Sequence, residues 1–370
     1  MSGKMDWQFE LEEYIMQGEP GQIEKSEAWR TAIGLQDVDG LDVSDYLLDT
    51  AKDHIEGNIS ITDAQKRIVS YYEACSEREE SRTETKEADI VSVRIAMLLG
   101  EKTFQFSPAE WRTIHRRLFE DVFDHAGKIR PYNITKKEWV LNGETVFYAS
   151  CDSIRDTMDY DFQTEKAFSY QGLSMQDFVK HIAKFTSDIW QIHPFCEGNT
   201  RTTAVFIIKY LRTFGFDINN DAFADHSWYF RNALVRANYN DVKRGVYATE
   251  KYLEMFFSNL LLGTDYELKN RYLHIDYTPK NDDSVQSAKN KDSKCQIGTL
   301  DCSFEEISIL RWITSDPKIT QISLSEKTEK SLRTIKRIMA SLQEKGCIRR
   351  VNGKRNGAWE VLIDITKVNM

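Results

Sequence analysis

Apolar residues recur along most of this chain with the period of an α-helix. From Ser107 on, Trp111, Ile114, Leu118 and Val122 stand at i, i+3, i+7 and i+11, a stripe that one helix face turns toward a core. Ahead of them, Ser107-Pro-Ala-Glu offers an N-cap, a proline at the first helical position and a glutamate at the third. Ser174-Met-Gln-Asp opens another helix, with Phe178, Ile182, Phe185 and Ile189 on one side. A break at His193-Pro194 separates it from a helix that starts near Gly198 and carries Val205, Ile208 and Leu211 to Gly215. Upstream, the pattern predicts helices at Trp29 to Leu35, at Asp45 to Ile55, after Thr62 as N-cap with Gln65 behind it, and from Ile90 to a stop at Gly100. Helices continue from Asp225 through Tyr252 and Leu262.

The helical period lapses in two places. Val140 to Tyr148 has two β-prone pieces around Asn142-Gly143, the turn dipeptide of a tight hairpin. A lone hairpin in a helical chain is expected to have a job beyond stability. Tyr277 to Gly298 is almost free of large apolar groups and reads as a linker. Beyond it come an amphipathic helix from Phe304, a short one from Ile319 and a third from Ser331 to Gly346. Cys347-Ile-Arg-Arg-Val and Ala358-Trp-Glu-Val-Leu then flank a basic turn at Asn352 to Gly357. This order resembles a winged helix, with Arg333, Lys336 and Arg337 on the recognition helix and Lys354 and Arg355 on the wing, placed to contact DNA phosphates.

Charge sharpens that picture. Leu300 to Met370 holds 13 Lys/Arg against 9 Asp/Glu, a balance of +4, so the rest of the chain carries −13 of the net −9. Only the C-terminal segment suits nucleic acid, although winged helices also serve as protein-docking modules. At 370 residues the chain divides into more than one domain, and 6 prolines and 18 glycines favour helices. Cys75, Cys151, Cys196, Cys295, Cys302 and Cys347 form no Cys-x-x-Cys pair, and the seven histidines have no zinc-like spacing. Free thiols and no structural transition metal are expected. No leader or spanning segment is apparent, which points to the cytoplasm and away from a membrane.

The chemistry concentrates in His193-Pro-Phe-Cys-Glu-Gly-Asn-Thr-Arg201, a loop between two helices. The start of the second helix presents unpaired N–H groups and a partial positive charge. Gly198 permits close approach of the backbone, Asn199 adds an amide, and Arg201 supplies a charge-assisted contact to phosphate. Glu197 suits Mg²⁺, which binds one carboxylate together with nucleotide phosphates. His193, with an ordinary pKa of about 6.5, can take a proton from an attacking hydroxyl.

This loop resembles the signature of the Fic family, His-x-Phe-x-(Asp/Glu)-Gly-Asn-(Gly/Lys)-Arg-x-x-Arg. Six of its eight specified positions match: His193, Phe195, Glu197, Gly198, Asn199 and Arg201. The resemblance implies a mainly α protein: a Fic-type helical bundle with a β-hairpin flap, followed by the winged helix. Its segments are an N-terminal helical region (1–103), a catalytic core (104–275), a linker (276–299) and the winged helix (300–370). It implies transfer of AMP from ATP to a Ser, Thr or Tyr hydroxyl of a target protein or of the chain itself. His193 is then the base, Glu197 the Mg²⁺ ligand, and Gly198, Asn199, Thr200 and Arg201 the phosphate site. Phe230 and Asn238 would border adenine, and Val140, Leu141, Asn142 and Gly143 would form the target-binding flap.

Two positions depart from the family. Ala204 stands where the family has its second arginine, and Lys52-Asp-His-Ile-Glu-Gly57 resembles the inhibitory (Ser/Thr)-x-x-x-Glu-(Gly/Asn) motif with Lys52 in place of the hydroxyl residue. Inhibition by Glu56 is expected to work through another cation, such as Arg201. The Ala204 departure keeps open a DNA-binding regulator whose Fic centre senses nucleotide, and a different phosphorylated donor stays open as well. A homodimer stays open.

Overall fold

Ser44, Ser107, Ser174, Ser303, Thr320 and Ser331 each accept a hydrogen bond from the backbone N–H three residues on, and a helix starts behind each. The structure is a computed structural model that describes residues 2–74, 81–170, 172–216, 221–278, 302–328, 330–351 and 357–363. The N-terminal helices are α1 (Ser2–Gln17), α2 (Pro20–Gly34), α3 (Asp45–Ile55), α4 (Ile61–Ala74) and α5 (Ser81–Gly100). The next group is α6 (Pro108–Phe119), α7 (Ile154–Ala167), α8 (Met175–Ile192), α9 (Asn199–Thr213), α10 (Asp221–Asp225), α11 (Ser227–Ala237) and α12 (Lys251–Leu262). The C-terminal part holds α13 (Phe304–Ser315), α14 (Gln321–Lys327), α15 (Leu332–Glu344) and an antiparallel pair, β1 (Ile348–Val351) and β2 (Ala358–Val361), in the register Ile348↔Val361. One expected cap moves: Ser60, not Thr62, starts α4, because its hydroxyl reaches the N–H of Asp63.

The chain is mainly helical, as the pattern predicts. Every residue of α9 from Asn199 to Leu211 is buried, so this is the central helix, packed against α5, α6 and α8. Trp111, Ile114, Leu118, Phe178, Ile182, Phe185 and Ile189 all join one core that runs from Trp7 to Leu273. The same core takes in Phe304 and Ile307 at the start of α13. Phe304 stacks on Phe178 with centroids 4.1 Å apart, and the Ser308 hydroxyl donates to the carbonyl of Phe214. Gly215 (φ +80) lies so close to Trp312 that a Cβ there would fall 2.9 Å from the indole nitrogen, so the docked helix requires glycine. The winged helix is therefore seated on the ends of α8 and α9. The polar face of α15 stays exposed, with Arg333, Lys336 and Arg337 on it. Lys354 and Arg355 lie outside the described residues, as does the linker from residue 279 on.

The expected hairpin takes another form. Among the described residues the only strands are β1 and β2. Trp139–Leu141 is a 3₁₀ turn, Asn142 and Gly143 take left-handed conformations (φ 58 and φ 85), and the reversal closes through Gly143 N–H to Glu138 O and Glu138 N–H to Glu144 O. Val140 and Leu141 are fully buried, so they anchor this loop and do not face a target; Phe147, 84% exposed, is the outward residue. Among the described residues, no helix is long and apolar enough to cross a membrane, and Cys151, Cys196, Cys302 and Cys347 are free thiols.

Candidate active site

The loop between α8 and α9 is held from below and from behind. His193 caps α8 in the left-handed region (φ 48, ψ 58), a conformation that costs a non-glycine residue about 1 kcal/mol and persists only where neighbours enforce it. Arg130 enforces it. The buried guanidinium donates to the carbonyls of His193 (2.7 Å), Tyr132 (2.7 Å), Ile192 (3.4 Å) and Ala149, and the Arg130 N–H donates to Pro194 O. His193 itself is 3% exposed, between Tyr148 (centroids 4.1 Å) and Trp190. Its Nδ1 lies 3.2 Å from the carbonyl of Trp190. A carbonyl only accepts, so Nδ1 carries the proton and the Nε2 lone pair is left to take another. Burial, then the charge of Lys136, hold the imidazole well below the ordinary histidine range, which keeps that lone pair free at neutral pH.

Gly198 (φ 74) is the N-cap of α9, and a Cβ there would fall 2.4 Å from the ring of Phe119. Asn199 does not aim its amide at an anion, contrary to expectation. Its Oδ1 accepts from Phe195 N–H and its Nδ2 donates to Phe195 O, so the side chain braces the loop. Thr200 Oγ1 likewise accepts from the Trp190 indole at 2.9 Å. What remains for a phosphate is the backbone of the first helical turn, whose N–H groups have no intrahelical partner. Glu197 stands exposed at the loop's mouth, its Oε2 2.7 Å from Lys136 Nζ.

Arg201 departs most from the expected arrangement. It is buried under Phe119, with its guanidinium held by Asp39 Oδ2 (2.8 Å), Glu87 Oε1 (2.6 Å) and Gln36 Oε1 (2.9 Å). Asp39 also pairs with Arg231, which reaches on to Glu138 at the start of the 138–144 loop, so one carboxylate links two arginines beside the site. Glu56 does not meet Arg201: it lies exposed after α3, accepting from Tyr14 and Asn58. Ala204 is fully buried in the core. Phe230 is also core, packed on Phe223, Phe256 and Phe257 rather than lining a base pocket. Asn238 spends its amide on Ser187 and on Leu234 O, as a helix-end brace.

Arg130, His115, Tyr148, Asp39, Glu87 and Lys136 belong to the site and escaped the sequence reading. Their partners lie 45 residues or more away where the chain meets the loop, as with Tyr148–His193, Lys136–Glu197 and His115–Glu197 O, so no local spacing announces them. His115 sits against the loop with its imidazole pushed down to about 3, chiefly by burial.

Comparison with known proteins agrees with this geometry. Residues 105–211 match the family model described as Fic/DOC family, and residues 306–349 match winged helix-turn-helix DNA-binding. The chain thus carries a Fic/DOC family domain followed by a winged helix-turn-helix domain. It is similar to the protein adenylyltransferase VbhT of Bartonella schoenbuchensis, 25% identical over 74% of this chain and 61% of that protein. A probable protein adenylyltransferase of Sinorhizobium fredii is 28% identical over 36% of the chain and 66% of its own length. The probable protein adenylyltransferase Fic of Escherichia coli is 25% identical over 41% and 72%. The chain spans about six-tenths to two-thirds of the first two relatives it matches. The N-terminal FIC domain of Bep8 from a Bartonella species aligns at 20% identity and a TM-score of 0.38, over 50% of this chain and 88% of that one.

Proposed function

We infer that the chain transfers AMP from ATP to a hydroxyl side chain of a protein. The observation that carries this is the tautomer of His193: its Nδ1–H is tied to Trp190 O, so Nε2 is an unprotonated base beside a backbone anion site. In the reaction, the target oxygen forms a bond to the α-phosphorus, the bond from that phosphorus to the bridging oxygen breaks, and pyrophosphate leaves. The hydroxyl proton passes to His193 Nε2. The N–H groups at the start of α9 hold the charge on the phosphates. Among the described residues no three His, Cys, Asp or Glu side chains cluster as a metal cage. A single exposed carboxylate fits Mg²⁺, which draws its remaining ligands from phosphates and water; Glu197 would hold it, and bound there it would neutralise the leaving pyrophosphate. A groove of about 390 Å³ beside Tyr148, lined by Phe147, Gln191, Asp161 and Asp188, gives the target segment room to approach.

Labelled ATP and Mg²⁺ test the reading: label on protein, lost in His193→Ala, supports it, and none on any protein of a lysate or on the chain itself rejects it. The acid limb of kcat/KM gives an independent check. A histidine base of ordinary pKa loses activity below about pH 6.5. With His193 depressed, protonation comes only at lower pH, so the rate should hold from pH 7.5 down to 6, measured in a constant-ionic-strength buffer series.

Asp39 and Glu87 support a restraint different from Glu56, because they occupy the cation that a nucleotide would engage. Glu87→Gln keeps a hydrogen-bonding group and removes the charge, so KM for ATP should fall about three- to tenfold; an unchanged KM counts against the restraint. The exposed basic face of α15 favours DNA as a second partner. A salt-sensitive shift of nonspecific duplex, weakened in Arg333→Ala/Lys336→Ala, is expected, and no binding at low salt rejects it.

A further inference from the structure

We propose that His115 is the positioning residue of the phosphate site, fixing the direction of the Glu197–Gly198 peptide so that the Gly198 N–H is turned to the anion. It rests on the transfer reading only for the ligand's chemistry, the phosphates of a nucleotide. His115 is fully buried on α6, its ring stacked on Phe195 with centroids 3.7 Å apart and planes 19° from parallel. Two hydrogen bonds define its tautomer. The Gly127 N–H meets Nδ1 at 2.8 Å, so Nδ1 accepts. Nε2 then carries the proton and donates to the Glu197 carbonyl at 3.0 Å.

In a planar trans peptide the C=O and the N–H point in opposite directions. Drawing the Glu197 carbonyl toward α6 therefore turns the next N–H, that of Gly198, away from α6. That is the open side of the loop, where the Glu197 side chain stands exposed. Phe119, one turn further along α6, closes the other side of Gly198 and leaves no room for a Cβ. A buried histidine bonded to two arbitrary backbone groups would serve packing alone. This one is bonded to the single peptide whose flip would replace a donor at the anion site by a carbonyl oxygen, which repels phosphate. His115 faces no solvent, so it has no access to substrate and acts only through this peptide.

Two variants separate positioning from packing. His115→Phe keeps an aromatic ring against Phe195 and removes both hydrogen bonds, whereas His115→Gln keeps an N–H donor within reach of Glu197 O. The probes are inorganic pyrophosphate and adenosine, titrated calorimetrically without metal or turnover. His115→Phe should bind pyrophosphate about tenfold more weakly or worse and adenosine within about twofold of the parent, with His115→Gln recovering most of the pyrophosphate affinity. Nitrogen NMR of the parent should show a protonated Nε2 and an unprotonated Nδ1, an observation that does not depend on either variant folding. Unchanged pyrophosphate affinity in a folded His115→Phe, equal losses for both probes, no pyrophosphate binding by the parent, or the opposite tautomer would each overturn the proposal. If the parent forms no AMP adduct while the pyrophosphate pattern holds, the transfer reading falls and His115 keeps its role.

Discussion

Alanine in place of His193 is expected to lower the rate of adenylyl transfer by about 10³-fold while ATP affinity stays within about threefold of the parent. The split follows from the geometry. The imidazole Nδ1 is spent on Trp190 O, and the phosphate site is built by the N–H groups of α9, not by this ring. Removing the ring deletes the proton acceptor and leaves the anion site standing. It also empties a buried space between Tyr148 and Trp190, at a cost of about 2 kcal/mol in stability. Single-turnover transfer beside equilibrium ATP binding reads both effects. Equal losses in rate and affinity would mean that His193 shapes the nucleotide site instead of acting as its base.

Arg130→Ala is expected to destabilise the fold by about 3–5 kcal/mol and to abolish transfer. Four carbonyls on three chain segments, those of Tyr132, of Ala149, and of Ile192 and His193, converge on this one guanidinium. Without it the buried carbonyls of Ile192 and His193 lose this donor, and the left-handed conformation of His193 loses its enforcement. Arg130→Lys should rescue little, because an ammonium cannot span the planar fan that a guanidinium serves. Urea denaturation and transfer assays check both variants; near-parental behaviour of Arg130→Lys would contradict the role assigned here.

These two residues mark where the sequence was legible. His193, Glu197, Gly198 and the helix start behind them are contiguous, and a loop of six residues between two helices announces its chemistry through residue type and spacing alone. The helices were equally readable, because Trp111, Ile114 and Leu118 repeat a local period and Ser107 and Ser174 cap where they stand. Arg130 was not, since a lone arginine before a proline looks solvated until the fold brings the end of α8 beside it, 63 residues on. The misreadings have the same origin. Val140 and Leu141 suit a strand, but burial against the core folds them into a 3₁₀ turn. Phe230 was placed by resemblance and Asn238 likewise, and packing claims both. Arg201 was matched correctly to the signature, yet the charge it meets comes from Asp39 and Glu87, which only tertiary structure delivers.

Adenylyl transfer at the His193–Arg201 loop leaves a defined mass on its target. Intact-protein mass spectrometry tests it most directly, on the chain incubated with ATP, Mg²⁺ and a cell lysate as target source. Proteins heavier by one AMP on a Ser, Thr or Tyr oxygen are expected, with pyrophosphate released in equal amount and neither product formed by His193→Ala. An added phosphate in place of AMP, or AMP adducts that persist in His193→Ala, would contradict it.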